Sequence, residues 1–461
     1  MIMPKFTRSL ALLTLCFAFV SLRAAEPTRP NIVFILVDDL RWDALSCMGH
    51  PVAKTPNIDR IAKEGALFKN FFVSIPLCAP SRSSFLTGQY AHKTGVIDNS
   101  NRAELSHKLI TFPKLLHDGG YDSGYVGKWH MGNDSSQRPG FDYWVCLPGQ
   151  GAYENPMMNV NGKNAKVPGY VTDIINEHAV KFIKQEHKKP FVLYVAHKAV
   201  HGPFMPAERH QNLYAGAKFP IPPNIKDSLE GKPVLTRDTE DNKKKKKKQE
   251  KVGGESGHVS EQGAIRQLQC LAAIDEGVGD IFKALEQTGQ LDNTLVVFSS
   301  DNGYFWGEHG LGDKRWAYEE SIRDPLLMRY PKLIKSGTQL DQLVMNIDIA
   351  PTFLELGGVT VPKAVQGHSL LPLFKNNKTD WRDSLLTEYF QEKMYNRTPT
   401  WQAVRTADWK LIHYTELTGM DELYDLKNDP YEMKNLIKDS GAKKMHDKLE
   451  VELARLVKET Q

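Results

Sequence analysis

The sequence predicts an α/β protein with a doubly wound sheet, followed by a smaller α+β domain. Four continuous runs of Val, Ile, Leu and Phe alternate with segments of helical periodicity. Such runs are typical of strands that are buried on both faces of a parallel sheet. Beyond Gly367 the pattern changes to short strand-like segments, which indicates a second fold unit.

The four predicted strands lie at residues 31–39, 121–128, 191–196 and 295–299. Helical patterns lie between them, at residues 57–64, 112–117, 174–184 and 263–285. Because ligands of such sheets bind at the carboxyl ends of the strands, polar residues there are candidate site residues. Three of the four strands end in them: Asp38 and Asp39, Lys128 with His130, and Asp301 with Asn302.

The second unit is predicted to span residues 371–461, after a larger domain of residues 26–370. Strands are predicted at 385–390, 401–405 and 410–414, and a closing helix at 442–458. Short strands combined with one helix predict an α+β arrangement.

The N-terminus has the features of a secretory signal peptide. Lys5 and Arg8 precede an apolar stretch at residues 10–22, and the small pair Ala24 and Ala25 follows it. A membrane anchor needs about 20 apolar residues, so no anchor is expected. We therefore predict removal of residues 1–25 and export to the periplasm or the cell exterior.

Charge and composition are those of an ordinary globular protein, with 41% hydrophobic and 25% charged residues. The formal net charge is +4, and six positive charges lie in one run, Lys243 to Lys248. This run belongs to a polar segment at 238–258, which we interpret as a solvated loop insertion. The rest of the chain is close to neutral, so nucleic acid is not an expected partner.

One cysteine has neighbours that indicate chemistry. Cys78-Ala-Pro-Ser-Arg82 is followed by Leu86-Thr-Gly88. This segment resembles the signature of the type I, formylglycine-dependent sulfatases, and the resemblance extends from Pro30 to about Leu436. It implies an alkaline-phosphatase-like fold and oxidation of Cys78 to formylglycine by a maturation enzyme during export.

The resemblance also implies why a thiol would be converted to an aldehyde. A thiolate that attacked sulfur would leave a stable thiosulfate. The hydrated aldehyde instead gives a hemiacetal sulfate, which expels sulfate when the aldehyde re-forms, so covalent catalysis becomes two feasible steps.

Two pairs of polar residues resemble the metal ligands of this family. They are Asp38 with Asp39 and Asp301 with Asn302, completed by the formylglycine oxygen at position 78. Carboxylate and amide oxygens are the ligands that Ca²⁺ prefers, whereas zinc prefers imidazole or thiolate. One calcium ion per chain is expected.

Three cations match the sulfate-binding residues of the family: Arg82, Lys128 in Gly-Lys-Trp-His130, and Lys314 in Gly-Asp-Lys-Arg. Cations that are placed at developing charge often contribute the largest catalytic effect. His130 matches the histidine that assists release of sulfate. His201 is the candidate general acid because Gly-Pro follows it, and His197 is the alternative.

These features predict a sulfuric ester hydrolase that acts on a sulfated glycan of the glycosaminoglycan, mucin or algal type. The segments at 141–153 and 197–209 resemble bacterial sulfatases that act on N-acetylglucosamine-6-sulfate. A phosphomonoester or phosphonate hydrolase of the alkaline phosphatase superfamily is the alternative, and a non-catalytic glycan-binding protein is a third. The residue that contacts the sugar stays open among Trp129, Tyr153, Arg315 and Trp401.

Overall fold

The computed structural model describes residues 29–100, 102–219, 221–237, 261–375 and 379–461. The predicted signal peptide (1–25) and the lysine-rich insertion (238–258) lie outside these ranges. The strands of the larger part are β1 Asn31–Val37, β2 Ala66–Phe72, β3 Asp122–Lys128, β4 Tyr143–Leu147, β5 Met157–Val160, β6 Lys163–Lys166, β7 Phe191–Ala196, β8 Thr294–Ser300, β9 Phe305–Trp306, β10 Gly312–Asp313, β11 Arg323–Arg329 and β12 Thr338–Met345.

Ten of these strands form one sheet in the order β12-β2-β11-β8-β1-β7-β3-β4-β5-β6. Strand β1 lies near its centre and pairs in parallel with β7 and β8, while β3 pairs in parallel with β7 and β4. The sheet is mixed, because β11 runs antiparallel to both β8 and β2. The four predicted strands are the four central parallel ones, which confirms the predicted fold class.

Helices cover both faces of the sheet, and the side chains of β1 show why. Val33, Ile35 and Val37 pack into one hydrophobic cluster, and the alternate residues Ile32, Phe34 and Leu36 pack into another. The helices of the larger part are α1 Pro56–Lys63, α2 Cys78–Thr87, α3 Ala91–Thr94, α4 Ala103–Lys108, α5 Phe112–Asp118, α6 Val171–Ile183, α7 Pro233–Thr236, α8 Glu261–Gln287, α9 Glu319–Ile322, α10 Ile349–Leu356 and α11 Leu371–Lys375.

The C-terminal part is a four-stranded antiparallel sheet in the order β13-β14-β15-β16, packed against one helix. Its elements are β13 Ser384–Tyr389, β14 Trp401–Thr406, β15 Trp409–His413, β16 Glu422–Asp425 and α12 Lys443–Thr460. This is the predicted α+β arrangement with one additional strand, β16. Among the described helices, none has the length and apolar character that a membrane crossing requires.

Candidate active site

The predicted nucleophile, Cys78, lies at the beginning of helix α2, and every residue of this helix is buried. The helix starts at Cys78, and its second residue is held in place because the amide of Ala79 donates to Asn99 Oδ1 at 3.0 Å. Gly88 ends the helix with a left-handed φ of 68°, a conformation that glycine adopts without strain. Cys78 therefore occupies a fixed place against the sheet.

The carboxyl ends of β1 and β8 bring the acidic pairs together, because these strands are parallel neighbours. Ligand atoms of Asp38, Asp39, Asp301 and Cys78 all lie within 4.8 Å of one another. Asp39 has a left-handed φ of 60°, so the chain turns as soon as the strand ends. The structure thus unites four positions that are separated by up to 263 residues.

Asn302 completes this oxygen-rich group. Its Nδ2 donates to Asp39 Oδ1 at 2.7 Å, while its Oδ1 is buried and has no hydrogen-bond partner. A buried carbonyl oxygen without a partner is costly unless a ligand satisfies it. Three carboxylates and one unsatisfied amide oxygen, converging from two strand ends, are a donor set that fits calcium.

Three cations neutralise the three carboxylates. Their ion pairs are Arg82–Asp301, Lys128–Asp38 and Lys314–Asp39, and Arg82 also reaches Asp38 at 3.4 Å. The first pair is 2.7 Å long and the third 2.5 Å, and all six side chains are buried. The cations predicted to bind sulfate and the carboxylates predicted to bind metal are therefore direct neighbours.

The electrostatics of the cluster differ between its two strand ends. Burial alone would raise the pKa of Asp38, but the charges of Lys128, His201 and other neighbours outweigh it and hold that pKa well below its usual value. Burial and the Asp38 carboxylate raise the pKa of Asp301 to about 6. A cation between these carboxylates would relieve their repulsion.

The thiol of Cys78 is poorly suited to attack as a thiolate. Burial, with Asp38 beside it, raises the pKa of this thiol well above its usual value. The Sγ donates to Asp38 Oδ1 at 3.5 Å. Because the thiolate is the nucleophilic form of cysteine, an unmodified Cys78 would be largely unreactive at neutral pH.

The two candidate general acids occupy different positions. His201 is 21% exposed, and its Nε2 lies 3.8 Å from Asp39 Oδ2 while its Nδ1 lies 2.7 Å from the carbonyl oxygen of Gly202. His197 is buried, and burial lowers its pKa to about 3, while burial and Lys128 lower the pKa of His201 to about 4. Only His201 therefore combines an accessible ring with contact to the oxygen cluster. His130 is buried, and burial and Lys128 keep its pKa well below the usual value.

The four candidate sugar contacts are all buried, although in different surroundings. Trp129 packs among the aromatic rings of Tyr125, Phe141 and Trp144, which is a core position. Trp401 donates from Nε1 to the carbonyl oxygen of Arg315 at 2.9 Å.

The C-terminal part of the chain contacts the site through Glu392. Its Oε2 accepts from Arg315 Nε at 2.6 Å, directly beside Lys314, and its Oε1 accepts from the amide of Asn99 at 3.3 Å. Tyr395, which is 43% exposed, lies under the Arg315 guanidinium at 3.6 Å. Glu392 thus connects the loop of Lys314 with the residue that holds the start of helix α2.

Comparison with known proteins agrees with this arrangement. The family model described as sulfatase matches residues 30–359, which is most of the chain. The chain belongs to the sulfatase family. It is a sulfuric ester hydrolase. A second family model, described as N-sulphoglucosamine sulphohydrolase, C-terminal, matches residues 307–459.

The relatives of this sulfatase include carbohydrate-active members. It is 36% identical to the N-acetylglucosamine-6-O-sulfatase of Bacteroides thetaiotaomicron, over 95% of this chain and 87% of that protein. A solved structure in complex with its substrate D-glucosamine-2-N,6-O-disulfate is 35% identical, with a TM-score of 0.85 over 94% of this chain and 98% of that one. The phosphonate monoester hydrolase of Agrobacterium radiobacter shares the fold, at 22% identity and a TM-score of 0.77 over 94% and 96% of the two chains.

The structure brings the predicted site residues of the sulfatase into one cluster. His197 is buried in the segment after β7, where its amide donates to the carbonyl oxygen of Leu36 on β1. Two buried residues next to the cluster were missed from the sequence. Lys198 lies between the two histidines, and Asp324 lies on β11 with both carboxyl oxygens unpartnered. No motif marks either residue, because the lack of a partner is visible only in the folded chain.

Proposed function

We propose that this sulfatase removes sulfate from a sulfated glucosamine of a glycosaminoglycan, mucin or algal glycan. The observation that carries the proposal is the convergence of Cys78 with three carboxylates and three cations at the ends of β1, β3 and β8. The substrate class is supported by the relatives, one named as an N-acetylglucosamine-6-O-sulfatase and one solved with a glucosamine disulfate.

We propose that a maturation enzyme converts Cys78 to formylglycine, whose hydrate supplies an oxygen nucleophile. The raised pKa of the thiol supports this conversion, since the unmodified side chain would stay protonated. The buried start of helix α2 would keep the modified side chain facing the oxygen cluster.

The three cations would bind the sulfate group from different directions. Arg82 comes from helix α2, Lys128 from the end of β3, and Lys314 from the loop after β10. Because they are fixed by buried ion pairs before substrate arrives, they would stabilise charge on sulfate without reorganisation.

Proton transfer would fall to the two histidines at the cluster. His201 would protonate the oxygen of the leaving sugar, because its Nε2 faces the cluster and its ring is partly exposed. His130 would assist the release of sulfate from the buried side. Burial and the charge of Lys128, which lower the pKa of His130, support a neutral ring that can accept a proton.

Asp38, Asp39, Asp301 and Asn302 would hold one calcium ion. A bound calcium ion would offset the carboxylate charge and attract the anionic ester. Of the described residues, those with hard oxygen atoms at this site form a single group, which supports one metal ion rather than the two of many phosphatases. The phosphonate hydrolase alternative is therefore not favoured, although the fold is shared.

The chain is proposed to consist of two domains, residues 26–370 and 371–461. The hydrogen bond between Arg315 and Glu392 would link them. Export to the periplasm or the cell exterior, after loss of residues 1–25, is proposed from the sequence pattern alone.

The proposed function is tested by release of inorganic sulfate from a panel of sugars. The panel contains glucosamine derivatives with sulfate at O6, O3 or nitrogen, with p-nitrophenyl phosphate and phenyl phosphonate esters as controls. We expect turnover of at least one O-sulfated glucosamine and much slower turnover of the phosphorus esters. Preference for a phosphonate ester over every sulfate ester would overturn the proposal.

A further inference from the structure

Five lysines are buried in the described part of the chain, and four of them have a carboxylate partner. Lys128 and Lys314 pair with aspartates of the site, whereas Lys232 pairs with Asp227 and Lys410 with Glu319. Buried ammonium groups are normally paired in this way, because removal of a charge from water is costly.

Lys198 is the exception among these five. Its side chain is 2% exposed, and it forms no hydrogen bond or ion pair with another described residue. Its one described contact is with the ring of Tyr153, whose centroid lies 4.9 Å from Nζ. A cation over an aromatic face is stabilised, but no residue in the described part of the chain offers an acceptor to the three ammonium donors.

The backbone places Lys198 beside the catalytic cluster. It lies just after β7, and the two residues that follow it bind the backbone of Asp38. The amide of Asp38 donates to the carbonyl oxygen of Ala199 at 3.1 Å, and the carbonyl oxygen of Asp38 accepts from the amide of Val200 at 2.9 Å. The hydroxyl of Tyr153 donates to the carbonyl oxygen of His201 at 2.6 Å. Lys198 and its aromatic partner are therefore attached to the segment that carries the proposed general acid.

We propose that Lys198 is a substrate-contacting residue whose ammonium binds an anionic sulfo oxygen of the sulfated sugar. This inference rests on the proposed function. The nearby carboxylates Asp38 and Asp39 already pair with Lys128 and Lys314, so the substrate is the remaining source of negative charge. Burial and the charge of Lys128 lower the pKa of Lys198 to about 8, as expected for an ammonium that lacks a counterion.

Two oxyanions could satisfy Lys198: the sulfate that is cleaved, or a second sulfo group on the same sugar. Both offer the same chemistry, and kinetics on two substrates distinguish them. Glucosamine-6-sulfate carrying an N-acetyl group has one sulfo group, while the N-sulfated sugar has two.

The test compares Lys198→Met with Lys198→Arg and with Lys410→Met. Methionine keeps most of the length of the lysine side chain but removes its charge, and arginine keeps the charge. Lys410→Met is the matched control for loss of a paired buried lysine, since it removes a cation that pairs with both Glu319 and Glu432. Melting temperature and kcat/KM on both sugars are measured for each variant.

We expect Lys198→Met to melt at or above the temperature of the unaltered protein, because it removes an uncompensated charge, whereas Lys410→Met melts lower. The kcat/KM of Lys198→Met should fall about 10- to 100-fold, as for loss of a hydrogen bond to a charged group, and Lys198→Arg should retain part of the activity that Lys198→Met loses. An equal loss on both sugars would assign the contact to the cleaved sulfate. A loss confined to the N-sulfated sugar would assign it to the second group.

Unchanged kcat/KM on both sugars, or a melting temperature that falls as far as in Lys410→Met, would overturn the proposal and leave Lys198 a structural residue. Thermal protection by inorganic sulfate or by the N-sulfated sugar separates this outcome from failure of the proposed function. If the unaltered protein cleaves neither sugar, the contact is still supported when either ligand protects Lys198→Met less than it protects the unaltered protein. The contact is contradicted when each ligand protects the two proteins equally.

Discussion

Arg82 Nε donates to Asp301 Oδ2 at 2.7 Å, which joins the helix of the nucleophile to the end of strand β8. The same relationship recurs in the pairs Lys128–Asp38 and Lys314–Asp39. Arg82, Lys128 and Lys314 are thus each paired with a residue proposed to bind calcium.

This pairing predicts that calcium and sulfate strengthen each other's binding. Calcium would bind the carboxylates and sulfate would bind the cations. Each ligand would therefore free, from its ion pair, the groups to which the other ligand binds. We expect the calcium dissociation constant, measured by titration calorimetry, to fall roughly 5- to 100-fold at saturating sulfate, the usual range of coupling between sites. Chloride at equal ionic strength is the control, and an unchanged constant would contradict the pairing argument.

Asp301→Asn should weaken calcium binding and leave the enzyme nearly inactive, because calcium affinity depends on the number of charged ligands. High calcium should restore part of the activity. Asp324→Asn is the matched control: burial and Asp301 raise the pKa of Asp324 well above its usual value, so the fold favours the neutral carboxyl group, which an amide resembles. Sulfate release is measured against calcium concentration, and recovery of the metal-stripped enzyme with zinc alone would refute the ligand assignment.

His201→Ala should lose about 10²- to 10⁴-fold in kcat/KM on a sugar sulfate, the usual contribution of a positioned general acid. The loss should be much smaller on nitrophenyl sulfate, because nitrophenolate leaves without a proton. Lys314→Ala should harm both substrates alike, since it removes a contact with the sulfate itself. The comparison is of transition-state stabilisation for each variant and substrate. Equal losses for His201→Ala would move the acid elsewhere, with His197 the first candidate.

His197 should make the folded protein sensitive to mild acid. Burial and Arg82 lower its pKa to about 3, below the usual value of 6.5, so the folded protein favours the neutral ring. The stabilisation is complete above pH 6.5 and is lost as pH falls, at about 1.4 kcal/mol per unit, because only the unfolded chain takes up the proton.

Urea unfolding at pH 7 and pH 5, with calcium saturating, measures this effect. The unaltered protein should lose about 2 kcal/mol more than His197→Asn over this interval. The same pH dependence in both proteins would show that His197 is protonated equally in the folded and unfolded chains.

Much of the fold was accessible from the sequence because the central strands are uninterrupted apolar runs. Strand β4, Tyr143–Leu147, is a short apolar run that was missed, whereas several of the other missed strands lack that signal. Strand β6, Lys163–Lys166, is fully exposed and polar, and β2 and β12 are interrupted by polar residues such as Lys69, Asn70 and Asp341. Their places are fixed by pairing with other strands, which no local pattern reveals.

The site residues could be predicted from their motifs, but their partners could not. The contact of Glu392 with Asn99 spans 293 residues and depends on how the C-terminal part packs. In the sequence, only the Gly-Pro after His201 favours it over His197, and their different exposure becomes visible only in the folded chain. Local sequence carries residue type and spacing, whereas burial and pairing arise from the assembled sheet.

The most direct test of the account is the chemical state of Cys78 in active enzyme. The protein is produced with and without a formylglycine-generating enzyme, and each preparation is assayed for sulfate release and analysed by mass spectrometry of the Cys78 peptide. We predict activity only where that peptide shows the mass loss of a thiol replaced by an aldehyde, and none in Cys78→Ala. Full activity in a preparation whose Cys78 is unmodified would contradict the account.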